Sequence, residues 1–270
     1  MKLKLRNLKK RRLFILNKKK ALATVFLVVM IDLMGFGIIL PLMPFYAQRF
    51  GASAVAIGIL YSVYSLAQLV CSPIWGSLSD RFGRRPIMLI STIGATFSYL
   101  LFGFAGSFIA LFLSRLLAGV MGGNISAAQA CVADITSHED RAKGMGLIGA
   151  AFGIGFAVGP AASTLIMHWS GHQEYPGFVA AVMSFISFLM VWKLLPETRQ
   201  AAQAGDSERI VRDHIFSSKF WLALMPQKGT KNILPHLLGG AFLLALGQSS
   251  LYSAFPLFCK SRHHLSAERV

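Results

Sequence analysis

A short cluster of charged residues interrupts the apolar sequence at residues 76–86, which read GSLSDRFGRRP. Asp80 stands four residues before Arg84, and Arg81 and Arg85 lie beside them. A charged segment this short cannot be a linker between domains. On each side lies an apolar run long enough to cross a bilayer, so the segment joins two helices that leave the membrane and turn straight back.

Two charged residues fall inside apolar runs, where an ionisable side chain is costly and commonly functional. Asp32 follows an apolar stretch that begins at Ala21, so its carboxylate must face protein or water, or be protonated; the alternative is that the span starts later and Asp32 is interfacial. Arg115 lies about two turns into another run. It either lines a water-filled cavity or extends its guanidinium to the outer interface.

Small and polar residues form stripes at helical spacing next to these charges. On the fourth run the spacing predicts one shared face, suited to a cavity or to close helix contact, for Arg115, Gly119, Gly122, Ser126 and Gln129. The second run carries Tyr61, Ser65, Gln68 and Ser72, which line either a cavity or an ordinary helix contact. The fifth run is rich in glycine, and the pair Gly159–Pro160 predicts a tightly packed, bent helix.

The elements that must position these residues are transmembrane helices. The chain has 270 residues, of which 54% are hydrophobic and only 14% charged, which favours lipid over water as the solvent. Seven runs are long enough to span a bilayer: 21–45, 55–78, 86–104, 107–134, 144–167, 177–195 and 233–258. We therefore predict a basic tail (1–20), a six-helix unit (21–195), a central loop (196–232), a seventh helix (233–258) and an outer loop (259–270).

The net charge of +16 does not indicate a nucleic-acid partner, because ten of the 27 Lys and Arg residues precede Ala21 and most others lie in short segments between apolar runs. This distribution is typical of orienting charges and predicts a cytoplasmic N-terminus. The three cysteines, Cys71, Cys131 and Cys259, have no metal-site or disulfide spacing. No phosphate loop, metal cluster or nucleophile–base pair suggests an enzyme, and we expect no cofactor or metal.

Together these residues resemble the major facilitator superfamily. The segment 76–86 matches its signature between helices two and three, and the runs SRLLAGVMGG (114–123) and GIGFAVGP (153–160) resemble its fourth-helix and fifth-helix motifs. The runs IDLMGFGIILPLMP (31–44) and VADITSHEDRAKGMG (132–146) resemble drug:proton antiporters related to tetracycline-efflux proteins, as does LPET (195–198) at the end of helix six.

The resemblance implies an all-α membrane fold, with a six-helix bundle built as a three-plus-three inverted repeat, followed by the first helix of a second half. It implies a conformational latch made by Gly76, Asp80, Arg81, Gly83, Arg84, Arg85 and Asp134. It further implies proton coupling or substrate contact by Asp32, Arg115, Gln68 and Gln129, and an antiporter helix bend at Gly155, Gly159 and Pro160.

The implied function is proton-coupled export of a drug-like molecule from a bacterium, across its inner membrane. A sugar or metabolite symporter is the alternative within transport. Ser163 and Thr164 stand where antiporters of the family usually have a glycine pair. The sequence ends before an eighth helix, so the alternative outside transport is a half that transports nothing and acts as an interaction partner or is a decayed product. The expected partners are the bilayer, protons, a small substrate and a second half-transporter chain.

Overall fold

The computed structural model describes residues 2–198, with side chains from residue 18 onward, and scattered positions between 236 and 262. Residues 2–198 contain eight α-helices and no strand: α1 (Lys2–Ile39), α2 (Met43–Arg49), α3 (Ala54–Phe82), α4 (Arg84–Gly103), α5 (Phe108–Met121), α6 (Asn124–Ile135), α7 (Arg141–Ser170) and α8 (Tyr175–Leu194). The chain divides into two compact units between Arg199 and Gln200. The helices described below belong to the first unit.

Six candidate membrane spans lie in the described residues, each 20 to 30 residues long. At about 1.5 Å per residue they are long enough for a hydrocarbon core of about 30 Å. Large apolar side chains point outward along them, most of all on α3, where Val55, Leu66 and Leu69 are more than half exposed. Such an exterior suits lipid, and the prediction of an all-α, multi-pass membrane protein is confirmed.

Local sequence signals set most helix ends. The hydroxyl of Ser53 accepts a hydrogen bond from the amide of Ala56 over 3.3 Å, and that of Ser107 accepts from the amide of Ala110 over 3.2 Å. These two caps begin α3 and α5. The C-terminus of α7 lies at Gly171, whose φ of 66° is left-handed, a common way to end a helix. Only Gly83 separates α3 from α4, and its φ of 106° also favours glycine.

The first predicted span differs from the structure at both ends. Helix α1 begins at Lys2, so the basic segment is helical and continuous with the span. It ends at Ile39 rather than near Phe45, because Pro41 disfavours helical geometry in the residue before it and cannot donate a backbone hydrogen bond. The chain then turns and forms the short helix α2.

The core lies where α1, α4, α6, α7 and α8 meet. Helix α1 packs against α7 and α8, α4 packs against α8 and α5, and α3 packs against α5. The Ser184 hydroxyl of α8 donates across to the Thr92 carbonyl of α4, 3.0 Å away, a polar contact typical of helices packed in lipid. The predicted seventh helix lies outside the described residues, apart from scattered helical positions such as His236 and Phe242.

Candidate functional site

Arg84 is the centre of the ion-pair cluster in the segment that joins α3 to α4. Its Nη1 donates to Asp80 Oδ1 and, over 2.8 Å, to Ser79 Oγ, while its Nε donates to Asp134 Oδ2 over 2.9 Å. The side chains of Arg84 and Asp134 are only 10% and 14% exposed, so this pair is better shielded from water than a surface salt bridge. The ends of α3, α4 and α6 are thereby joined at one point. We call Ser79, Asp80, Arg84, Asp134 and Glu197 the Arg84 cluster.

Glu197 joins the cluster from the segment after α8. Its carboxylate accepts from the backbone amides of Arg84 and Arg85, 3.0 and 3.2 Å away, and so caps the N-terminus of α4. A Cβ at Gly83 would lie 2.8 Å from the carboxyl carbon of Glu197, so glycine serves here both for its positive φ and for this close approach. Nothing in the LPET motif indicates that Glu197 contacts a residue more than one hundred positions earlier.

The other residues predicted for this segment have different surroundings. Arg85 Nη2 donates to the Trp192 carbonyl over 2.5 Å, which ties α4 to the end of α8. Arg81 is exposed, with its guanidinium carbon 5.4 Å from the ring centre of Phe82. A Cβ at Gly76 would meet open space, so the predicted importance of that glycine has no steric basis within the described residues.

Asp32 is held by a residue that the sequence patterns above do not single out. Its Oδ2 accepts from the Asn124 side-chain amide at the start of α6. Its Oδ1 is buried and has no hydrogen-bond partner among the described residues, and Ser187 of α8 lies near. The carboxylate therefore lies where α1, α6 and α8 approach one another. The only signal for Asn124 is a polar residue directly after Gly122 and Gly123 in an apolar run.

Asn124 stands at a break in the fourth span. Residues Phe108–Ile135 form one candidate span, which agrees with the predicted span over 107–134, but the helix is interrupted between Met121, where α5 ends, and Asn124, where α6 begins. Two carbonyls at the end of α5 accept from side chains of neighbouring helices: Val120 from Trp75 Nε1 over 2.5 Å, and Met121 from the Ser91 hydroxyl. The break is thus compensated by hydrogen bonds, as buried backbone groups require.

The break also changes the predicted polar stripe. Arg115 and Gly119 are buried on α5, but Gln129 is exposed on α6, so the five residues do not share one continuous helix face. The amide of Gln68 on α3 packs at the break, where a Cβ on Gly122 would lie 2.8 Å from its Nε2. Gln68 is therefore next to the interruption, whereas Gln129 is exposed.

Arg115 is only 2% exposed and has an aromatic environment. Its guanidinium carbon lies 5.1 Å from the ring centre of Phe102, and Tyr61, Tyr64 and Tyr99 are its electrostatic partners. The guanidinium of Arg115 lies among these rings inside the bundle and does not extend to the outer interface, which was the alternative. Tyr64 and Tyr99 also interact electrostatically with Asp32, so both buried charges adjoin the same two tyrosines.

The glycines of α7 divide between two faces. A Cβ at Gly155 would lie 2.6 Å from Leu33 Cβ, and one at Gly159 would lie 2.7 Å from the Cα of Gly37. On the opposite face, the positions of Gly146, Gly149 and Gly153 meet open space. Gly155 and Gly159 therefore allow α1 and α7 to touch along their backbones. The helix continues through Pro160, and the predicted bend stays a prediction.

At the other end of the bundle, Arg49 and Glu174 form an ion pair of 2.6 Å between Arg49 Nη1 and Glu174 Oε1. Burial acts to raise the pKa of Glu174, but hydrogen bonds from Arg49 and from its own backbone amide outweigh it and hold the pKa below its ordinary value. Nearby, the Tyr46 hydroxyl donates to the buried carbonyl of Ala105 over 2.7 Å. These contacts join α2 to the segments before α5 and α8.

The described residues contain no group of three or more His, Cys, Asp and Glu side chains that could hold a metal ion. The chemistry available in this part of the chain is that of the partly buried Asp32 carboxylate, the buried Arg115 guanidinium and the Arg84 cluster.

Sequence comparisons identify relatives of this chain. Residues 25–269 match the sequence profile of the Major Facilitator Superfamily. The chain is 38% identical over 184 residues to the tetracycline resistance protein, class B, of Escherichia coli, covering 67% of this chain and 45% of that protein. It is 31% identical over 210 residues to major facilitator superfamily domain-containing protein 10 of Homo sapiens, covering 67% of this chain and 45% of that protein. The chain thus spans about half the length of the curated relatives it matches.

Two solved structures agree with the fold. The human organic anion transporter MFSD10 (TETRAN) superposes with a TM-score of 0.68 at 25% identity, over 93% of this chain and 67% of that one. A bacterial homologue of the human lysosomal transporter Spinster, inward-facing and unoccupied, superposes with a TM-score of 0.70 at 16% identity, over 93% of this chain and 57% of that one.

Proposed function

Because the chain belongs to the major facilitator superfamily, we propose that it forms the N-terminal part of a proton-coupled exporter of a drug-like small molecule, in the inner membrane of a bacterium. The family's members are transporters and not enzymes, which agrees with the prediction of no enzymatic activity. The observation that carries the proposal is the partly buried Asp32 carboxylate, bonded to Asn124 at a break in the fourth span, in a chain similar to tetracycline resistance proteins.

In this proposal Asp32 carries the coupled proton. Its Oδ2 is occupied by Asn124, which leaves Oδ1 as the oxygen that a proton would bind. Protonation removes a buried negative charge and weakens the charge-assisted hydrogen bond from Asn124. The break in the fourth span would then respond to the protonation state, because Asn124 begins α6. Cargo and proton would compete for the same charged state of Asp32.

The Arg84 cluster serves as the conformational latch. Its ion pairs join the ends of α3, α4 and α6, and Glu197 adds the segment after α8. A cluster with two carboxylate partners for one guanidinium can exchange partners as helices rock, at a cost smaller than that of leaving the charge unpaired. In the proposal the latch holds the cytoplasmic end of the bundle in one of its two states.

Two other functions compete. A symporter for a sugar or other metabolite would share the fold. One solved relative is an organic anion transporter, which supports considering cargo other than tetracyclines. Alternatively, this chain, which spans 45% of a curated relative, transports nothing of its own and acts as an interaction partner or is a decayed product. The close α1–α7 contact through Gly155 and Gly159, in the motif that resembles antiporters, favours export.

Drug-induced proton movement in inverted membrane vesicles that contain the 270-residue chain tests the proposal. Tetracycline and a small drug panel would be added to vesicles with an imposed proton gradient, and proton release would be followed by a pH-sensitive dye. Asp32→Asn should abolish the signal. Asp140→Asn is the matched control, because Asp140 is an exposed loop carboxylate at the start of α7.

Release that survives in Asp32→Asn would remove Asp32 from coupling and overturn the proposed mechanism. No release from a correctly inserted wild-type chain would favour the alternative in which the chain needs a partner half. Co-expression with the C-terminal half of a tetracycline resistance relative would then distinguish a half-transporter, which regains release, from a chain that does not transport.

A further inference from the structure

Arg85 differs from its neighbour Arg84 in having no ion pair of its own. The salt bridges among the described residues involve Arg84 twice, but neither Arg85 nor Lys193. Arg85 Nη2 donates instead to the Trp192 carbonyl in the last turn of α8, over 2.5 Å. Its Nε is buried and has no acceptor within the described part of the chain. The guanidinium is therefore fixed against α8, while its charge is free to attract an anion from outside the protein.

Lys193 provides a second cation at the same place. The carbonyl that binds Arg85 belongs to Trp192, the residue directly before Lys193, so the guanidinium lies next to the backbone of Lys193. The Lys193 side chain is exposed, and its flexible four-carbon stem carries three donors that can follow a ligand. A planar fork and a mobile ammonium group thus lie side by side, and both suit phosphate oxygens.

The beginning of the span in α1 adds further positive charge beside the end of α8. Ala21 is buried in the same core cluster as Val191 and Leu195, so this part of α1 packs against the last turn of α8. The two residues before it, Lys19 and Lys20, are exposed. Cations from α1, α4 and α8 therefore surround one point at the end of the bundle, and such a concentration beside a membrane span attracts anionic headgroups.

The side chains around these cations are those of a lipid-facing surface. Trp192 and Leu194 are both 54% exposed, and an exposed indole at the end of a span is typical of the bilayer interface. Between one and two turns further into the bilayer, Ile90 on α4 and Ile186 on α8 are about half exposed. A soluble anion would leave this apolar surface uncovered, whereas a phospholipid covers it with its acyl chains while its phosphate meets the cations.

We propose that Arg85 and Lys193 bind the phosphate of an anionic glycerophospholipid at the seam between α4 and α8. Trp192 contacts the glycerol region, and the acyl chains lie along the exposed apolar side chains of the two helices. The bound headgroup braces the N-terminus of α4, which carries Arg84 and hence the centre of the Arg84 cluster. The site depends on neither cargo nor proton, so it is independent of the proposed export.

Fluorescence quenching by brominated lipids tests the proposal on the full chain. The protein is reconstituted in phosphatidylcholine vesicles with increasing fractions of dibrominated phosphatidylglycerol or, for comparison, dibrominated phosphatidylcholine. The sequence has four tryptophans, so each variant is measured with and without Trp192→Phe, and the difference isolates the quenching of Trp192. Each cation near the headgroup contributes about fivefold, so phosphatidylglycerol should be preferred about 5- to 25-fold. Arg85→Gln combined with Lys193→Gln should reduce this preference to about onefold.

Arg141→Gln combined with Lys143→Gln is the matched control, because it removes two charges from the same end of the bundle, at the start of α7. It should keep the wild-type preference at Trp192. A preference lost equally in this control would indicate a diffuse surface potential and would overturn the site. Equal quenching by the two lipids in the wild type would overturn it even if the variant of Arg85 and Lys193 failed to fold, and so would a preference that persists in that variant.

Discussion

At the residue scale, the Asp32 carboxylate accepts a hydrogen bond from the side-chain amide of Asn124 inside the bundle. Oδ2 of Asp32 accepts from the Asn124 amide, and Oδ1 has no described partner. A buried carboxylate that loses its donor must bear the full cost of its desolvation, whereas a pair replaced on both sides by apolar groups of similar size is nearly neutral. The contact therefore affects the protonation state of Asp32 more than it affects the free energy of unfolding of the whole chain.

A double-mutant cycle measures this asymmetry. We expect Asn124→Leu to lower the free energy of unfolding by about 1–3 kcal/mol, because it removes the donor and leaves the carboxylate buried. The double variant Asp32→Leu, Asn124→Leu should recover most of the loss. Unfolding would be followed by SDS titration in mixed micelles. Gln129→Leu on the exposed face of α6 is the control and should change little. A double variant less stable than Asn124→Leu would contradict the expectation.

At the element scale, α1 and α7 are held at backbone contact by glycine. A Cβ at Gly159 would lie 2.8 Å from the carbonyl carbon of Gly37 and 2.9 Å from the Met34 oxygen, and neither backbone atom can move aside alone. A Cβ at Gly153, one and a half turns earlier on α7, would meet open space. The same residue type thus has opposite consequences at the two positions, and only the structure shows which position is which.

We expect Gly159→Ala to destabilise the bundle by about 1–3 kcal/mol, because the extra carbon must separate the two helices. Gly153→Ala should be neutral or stabilising by up to about 1 kcal/mol, since alanine favours a helix and nothing obstructs it. Both would be compared by SDS titration. Equal effects of the two substitutions would show that helix propensity, not the α1–α7 contact, governs α7.

The Arg49–Glu174 pair links α2 to the start of α8 and gives a dependence on pH. Its hydrogen bonds hold the pKa of Glu174 below the ordinary value of 4.5. The ion pair therefore contributes fully above that value, and the contribution disappears as the pH falls through the lowered folded-state pKa. Because Arg49 is about half exposed, the expected contribution is only about 0.2–1 kcal/mol.

The comparison of wild type with Glu174→Gln across pH 3 to 7 measures this contribution. The wild type should be the more stable protein at neutral pH, and the difference should decrease below about pH 4.5. In an Arg49→Gln background the difference should be smaller, and what remains comes from His172, whose Nδ1 lies 3.9 Å from Glu174 Oε2. An advantage of the wild type that grows as the pH falls would have the wrong sign for this ion pair.

At the scale of the whole molecule, hydropathy predicts the six spans of the described residues because a bilayer demands about 20 apolar residues whatever their packing. The Asp80–Arg84 pair is what the resemblance of residues 76–86 to the family signature implies. The break before Asn124 could not be predicted in this way, since Val120 and Met121 are apolar and their carbonyls are satisfied by side chains of other helices. The roles of Glu197 and Gly37 likewise depend on partners distant in sequence, which local patterns do not encode.

The Lys and Arg residues are distributed unequally between the two ends of the bundle, and this distribution predicts the orientation of the chain in the membrane. Arg49 stands at one side, whereas six Lys and Arg residues near helix ends share the side of the Arg84 cluster, namely Arg81, Arg84, Arg85, Arg141, Lys143 and Lys193. The positive-inside rule therefore predicts that the Arg84 cluster, and with it the N-terminus, faces the cytoplasm. The loop before α7, with His138, would face the cytoplasm, and the loop before α8, with His172, would face outward.

Single cysteines at these two exposed positions test the orientation. In a background with Cys71, Cys131 and Cys259 changed to serine, a membrane-impermeant maleimide added to intact cells should label His172→Cys and not His138→Cys. Inverted vesicles should give the reverse pattern, because the same loops then face the other way. Labelling of His138→Cys in intact cells would place the Arg84 cluster outside. The cluster could then not act as the cytoplasmic latch, whatever role Asp32 has in proton coupling.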